Sequence, residues 1–154
     1  MPTFLENAVM SPSESHAQVT ACHQSVLLFY HGLDRGDYSL AMKQVAPDCL
    51  WERGGVLLRG PQQIEASVRR RSATQVARHI VSNFAVLRQD AESATAAYCL
   101  ALHLYDNGSP LADVTCQFAL EPDHAWRIRQ LDVQRAFSYS REVISPLAQA
   151  PRQG

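Results

Sequence analysis

No apolar run in the 154 residues approaches the ~20 needed to cross a bilayer as a helix. A large charge of one sign is also missing. The formal net charge is -1, so the overall balance gives no reason to expect a nucleic-acid or anionic-membrane partner. The opening MPTFLENAVMSPSESH has neither the basic start nor the apolar stretch of a secretory signal, which makes the cytoplasm the expected location. Cysteine is sparse: Cys22, Cys49, Cys99 and Cys116 lie far apart, with no CxxC pair. A zinc site wants closely spaced ligands, so no metal or cofactor is expected, and the four thiols read as small buried hydrophobes. No internal repeat and no low-complexity tract interrupts the chain.

What is present is ordinary globular material. Hydrophobic residues make up 46% and charged residues 19%, enough for one domain with a sizeable core. Residues 1–10 carry no period and read as a loose arm; 11–144 read as a single domain; 145–154, rich in proline and glutamine, read as a frayed tail.

The first half of the domain has helical signals. Ser11-Pro12-Ser13-Glu14 is a capping box with proline at the first helical position. Val19, Cys22, Val26, Phe29 or Tyr30, and Leu33 then recur as one apolar stripe, and Gly36 marks the end. Asp37 caps a short second helix, expected to run through Tyr38, Ala41, Met42 and Val45 and to stop before Pro47. A hairpin follows, Cys49–Arg53 and Val56–Arg59 about Gly54-Gly55. Gly60-Pro61 then opens a third helix, Gln62 to about Ser72, with a thin stripe at Ile64 and Val68.

The second half changes period. Val76–Arg88, Ser93–Asp106, Leu111–Glu121 and Ala125–Ser138 are rich in β-branched and aromatic residues and are separated by short turn sequences. Strands of roughly 11–14 residues, joined by such turns, form an antiparallel meander about 40 Å long. A long twisted sheet curls, and its concave face must be covered. The expected class is α+β: three N-terminal helices packed on a curved antiparallel sheet with a small hairpin. This makes a cone whose mouth can hold a small molecule.

Three stretches carry a family resemblance. They are Leu33-Asp34-Arg35-Gly36-Asp37-Tyr38 followed by Ala46-Pro47-Asp48, then Arg78-His79-Ile80-Val81-Ser82-Asn83, and last Trp126-Arg127-Ile128. In order and spacing they resemble the SnoaL-like branch of the NTF2-like superfamily, over roughly residues 15 to 138. That superfamily includes scytalone dehydratase, hexachlorocyclohexane dehydrochlorinase, polyketide cyclases and non-catalytic subunits, so a shared fold leaves the activity open. In the dehydratase and the dehydrochlorinase, an aspartate ending the first helix pairs with a histidine starting the third strand. The resemblance places those roles on Asp34 and His79. It departs from a dehydratase copy where Arg53 and Leu33 stand in the place of tyrosines.

The chemistry of such a pair is clear. A histidine among apolar neighbours can take a proton from carbon, and a carboxylate on its second nitrogen fixes the tautomer and stabilises the imidazolium. Around it, Tyr30, Tyr38, Trp51, Arg53 and Tyr98 are candidates for an aromatic pocket with a cationic handle. Strict alternation puts His79, Val81, Asn83 and Ala85 on one face of the strand, with Ile80, Phe84 and Val86 on the other. Asp113, Thr115 and Gln117 are expected to face inward; a slip of one residue would instead put Val114, Cys116 and Phe118 in the core. The same one-residue choice decides whether His103 or Leu104 faces the pocket. Arg69-Arg70-Arg71 reads as a solvated helix end, favourable for the helix dipole.

These readings lead to a cofactor-independent enzyme of lyase, isomerase or cyclase type. Its His79-Asp34 dyad would act on a hydrophobic cyclic or aromatic substrate. The alternative is a non-catalytic ligand-binding or assembly module, favoured if the Asp34 carboxylate lies more than about 6 Å from the His79 ring. Either reading leads to an expected homodimer through the outer sheet face, with Ile80, Phe84 and Val86 as its apolar surface.

Overall fold

The computed structural model describes residues 10–71, 76–104 and 109–139. The expected tail at 145–154, and the expected arm up to residue 9, lie outside the described residues.

Helix α1 spans Pro12–Arg35. Ser11 and Glu14 form the anticipated capping box, and Gly36 closes the helix in the left-handed conformation that glycine adopts without a Cβ penalty. Helix α2 is Tyr38–Met42, capped by the Asp37 carboxylate on the Leu40 N–H at 3.0 Å. The two helices meet closely at Gly32, where an added Cβ would stand 2.7 Å from the Asp37 carbonyl oxygen. Helix α2 is shorter than its apolar pattern suggested. Val45 belongs to strand β1, Val45–Arg53, which runs straight through Pro47. Proline is tolerated there because the β1 pairing is irregular between Val45 and Leu50. The hairpin partner is β2, Val56–Arg59, followed by α3, Gly60–Arg69.

The meander follows as β3 (Ala77–Gln89), β4 (Ser93–Leu104), β5 (Ser109–Leu120) and β6 (Trp126–Tyr139). All the described strands join one sheet in the order β2-β1-β6-β5-β4-β3. The hairpin is therefore not separate, and the sheet is mixed rather than wholly antiparallel, because β1 lies parallel to β6. Helix α1 packs on β3 and β6, and α3 packs on β1 and β2. Between them Phe29, Ile64, Val26, Phe118, Val114 and Ile128 are fully buried. Each such side chain contributes about 1.5–3 kcal/mol of transfer free energy.

Two expectations about strand faces are corrected by the register. In β5, Val114 lies opposite Tyr98, while Asp113 lies opposite Cys99 and Thr115 opposite Ala97. Directly opposed residues share a face. Tyr98 is buried, so Val114, Cys116 and Phe118 fill the core while Asp113, Thr115 and Gln117 are exposed. In β4 the same phase turns His103 outward, opposite Arg78, and brings Leu102 inward, opposite His79.

In β3 the alternation breaks. Asn83 has φ 54, and the pairing shifts between Ser82 and Ala85, so two residues oppose Tyr98. This bulge reverses the phase. Asn83 is exposed and near the Cys99 thiol, not the pocket. Phe84 and Val86 turn inward onto the core, and Phe84 stacks on His23 and Tyr98 at 4.6 and 6.0 Å. Of the three apolar side chains expected on the outer face, only Ile80 stays there, half exposed.

A left-handed residue is tolerable for asparagine and costly for a β-branched one. Asn83→Val is expected to lower unfolding free energy by about 1–2 kcal/mol, with Asn83→Gly near neutral. Chemical denaturation checks this; a valine as stable as wild type would show that the bulge is absent.

Candidate active site

The end of α1 meets the start of β3. Asp34 lies in the last turn of α1, one turn after Tyr30, so both project from the same helix face. The Asp34 carboxylate receives two hydrogen bonds from a single residue. The His79 backbone N–H donates to Oδ2 at 2.8 Å, and the ring Nδ1 lies 2.5 Å from Oδ1. The His79 and Asp34 side chains are only 6% and 10% exposed. With Nδ1 as donor to a carboxylate, Nε2 carries the ring's lone pair. Tyr30 stacks on the imidazole with centroids 4.9 Å apart and planes at 29°.

Tyr30 is tied in turn to β4, its hydroxyl 3.0 Å from that of Tyr98. Burial pushes both phenols above their ordinary range, so each keeps its proton. Burial also drives the Cys22 and Cys49 thiols up to about 12 and raises Cys116, which leaves these three as inert packing groups rather than nucleophiles.

His79 and Tyr30 line a cavity of about 320 Å³, within the range of small-molecule sites. Leu33, Leu100, Leu102, Ala112 and Val133 give it an apolar lining, to which Trp51 adds an aromatic ring. Arg53 lines the same cavity, its Nη1 donating to the Ser67 hydroxyl at 3.0 Å and to the Ser67 carbonyl at 3.2 Å. Tyr98 stands behind Tyr30 as its hydrogen-bond partner. Tyr38 belongs to an adjoining depression, beneath the Arg69 guanidinium at 4.4 Å from its ring. Asn83, His103, Asp113 and Thr115 lie on the outer face, away from the cavity, for the reasons of register given above.

Among the cavity residues that sequence reasoning missed are two arginines, Arg71 just past α3 and Arg135 on β6. Arg71 was hidden in a basic run that reads as a solvated helix end. Arg135 was available from alternation, since Leu131, Val133 and Arg135 share the inner phase of β6. Among the described residues no group of three or more His, Cys, Asp and Glu is placed to hold a metal ion.

No family model and no curated protein matches the chain. Solved structures do. A hexachlorocyclohexane dehydrochlorinase, LinA-type3, from Novosphingobium barchaimii superposes with TM-score 0.71 at 16% identity, over 84% of this chain and 93% of the other. A protein assigned as a scytalone dehydratase from Novosphingobium aromaticivorans gives TM-score 0.73 at 9% identity, over 84% and 91%. A protein of unknown function with a cystatin-like fold from Nostoc punctiforme gives 0.65 at 18%, over 75% and 89%. At such identities the likeness establishes the fold, which is the NTF2-like α+β cone expected from the sequence.

If Asp34 fixes the ring, its removal frees it. In Asp34→Ala the His79 proton is expected to redistribute from Nδ1 toward Nε2, read from the imidazole nitrogen shifts by NMR. Two buried donors also lose their acceptor, costing about 2–3 kcal/mol in denaturation. A ring whose nitrogen shifts match wild type would break the assignment of the pair.

Proposed function

We propose that this protein is a small-molecule enzyme that works without a cofactor, with His79 as general base and Asp34 as the group that orients it. The observation that carries this reading is the Asp34–His79 contact of 2.5 Å, made beside a cavity that the imidazole lines. A pair joined only by chance packing would have little reason to receive both the ring and the backbone N–H on one carboxylate. Short contact, rather than separation beyond about 6 Å, also weighs against the binding-module alternative.

The chemistry follows from the arrangement. His79 Nε2 accepts a proton from a substrate carbon beside an electron-withdrawing group. The electron pair of the broken C–H bond moves onto a carbonyl oxygen, or forms a double bond as a leaving group departs with its bonding pair. Asp34 holds the imidazolium in place and offsets its charge. With Tyr98 as donor to Tyr30, the Tyr30 proton is left for the oxygen on which charge develops. Two structures with the same fold bear the names of a dehydratase and a dehydrochlorinase, both eliminations, and this favours elimination among the three outcomes. The apolar lining and aromatic rings suit a hydrophobic cyclic or aromatic substrate.

A homodimer through the outer sheet face is proposed on narrower ground: Ile80 and Leu87 are 50% and 62% exposed on β3. Sedimentation velocity is expected to give a dimer that Ile80→Glu dissociates; a monomer at every concentration would remove the proposal.

For the chemistry, a panel of cyclic ketones and β-substituted cyclic compounds is expected to contain members that exchange a carbon-bound proton with deuterated water. His79→Ala should slow that exchange by at least ~100-fold. Exchange that survives this substitution would sink the mechanism.

A further inference from the structure

Three arginines line one cavity in a chain whose formal net charge is -1. Arg53 comes from the end of β1, Arg71 from beyond α3 and Arg135 from β6. None of the three takes part in an ion pair among the described residues; the paired arginines there are Arg69, Arg127 and Arg129. Among the described residues, the exposed Glu52 is the one carboxylate that shares the lining with them.

Arg53 is the best defined. The Ser67 hydroxyl and carbonyl both anchor Nη1, and the guanidinium carbon lies 5.8 Å from the Trp51 ring centroid. Those contacts use one end of the planar fork and leave further donors for a ligand. Burial, and next the positive charge of Arg71, hold the Arg53 guanidinium below its ordinary range. Two like charges thus share a partly desolvated space, an arrangement that an anion between them relieves. Guanidinium forks match carboxylates bidentately, and a dry surround strengthens the match. The same cavity has an apolar lining as well, with Leu100, Leu102 and Val133.

We propose that the natural ligand is a cyclic or aromatic carboxylic acid, its carboxylate held by Arg53 and Arg71 with Arg135 at the rim, and its ring laid against the apolar lining. This rests on the reading of the cavity as the substrate site and adds the substrate class. The carboxylate is the handle, not the reacting group. It fixes the ring so that a carbon elsewhere on it faces His79.

The test is equilibrium binding of 2-naphthoate and of 2-naphthamide, which has the same shape and no charge. Wild type is expected to bind the acid about 10-fold or more tightly than the amide, with the difference shrinking as salt rises. Arg71→Gln, and separately Arg53→Lys, should each weaken the acid about 10-fold and leave the amide unchanged. Arg53→Lys guards against a folding artefact, because it keeps the charge while losing the fork. Equal affinity for acid and amide, undetectable binding of the acid, or a preference that survives Arg53→Gln/Arg71→Gln would each overturn the proposal. His79→Gln separates the two claims: it should still prefer the acid even though exchange is lost. If no compound undergoes His79-dependent exchange while the acid preference holds, the enzymatic reading fails and the ligand class stands.

Discussion

One carboxylate joins the two halves of this molecule at the place where chemistry is expected. Asp34 sits on the last turn of α1, and both of its oxygens are taken by His79, one by the backbone N–H and one by the ring. The double contact orients strand and side chain together. A ring hydrogen-bonded alone can rotate with its rotamer; here the backbone that carries it is held by the same group. The rest of the site depends on this join. Tyr30, one turn earlier on α1, can stack on the imidazole only if the helix end and the strand start stay in register. Tyr98 then extends the tie to β4 through the paired hydroxyls. Asp34 reaches that place because the helix has a fixed start and a fixed stop, the capping box at Ser11 and the left-handed Gly36.

The core and the cavity make opposite use of burial. On the core side, Phe29, Phe118 and Ile128 are at most 1% exposed. On the cavity side, about 320 Å³ is left open and arginines gather beside apolar side chains. Burial of the Arg53 guanidinium, and next the like charge of Arg71, work against folding, and the packed core offsets them. A fold selected for stability alone would fill that space with aliphatic groups. Open volume and, among the described residues, arginines outside any ion pair are what a site needs if a ligand is to complete it.

Much of this was legible in the sequence, for identifiable reasons. Helix α1 announces both ends through residues whose role is local, and the meander through strand composition and turns. The Asp34–His79 pairing was legible only through family resemblance, since 45 residues of chain separate the two and no local rule joins them. What could not be read was phase. Period-two alternation says which residues share a face but not which face is inside, so the inward expectation for Asp113 and Thr115 has the wrong sign. Their partners across β4 decide it: Cys99 and Ala97 face out, so they do too. His103 follows from the same ladder, through Arg78. Arg71 failed differently, since a basic helix end looks alike whether it faces water or a cavity formed by strands far along the chain.

Strand β3 explains why the phase error on Asn83 is also informative. Its first half must turn His79 toward α1 and the cavity; its second half must turn large apolar side chains toward the same helix, further up. A uniform alternation that places His79 inward would send Phe84 and Val86 out to solvent. Asn83, in the left-handed conformation, inserts the one extra residue that resets the phase. Phe84 then stacks between His23 of α1 and Tyr98 of β4, while His79 keeps its carboxylate. The break in the local rule therefore lies between the histidine and the core, on the strand that has to serve both. Asparagine tolerates that conformation better than most residues, so the cost of the junction is low. The bulge lets a single strand hold a polar dyad at one end and an apolar seal at the other.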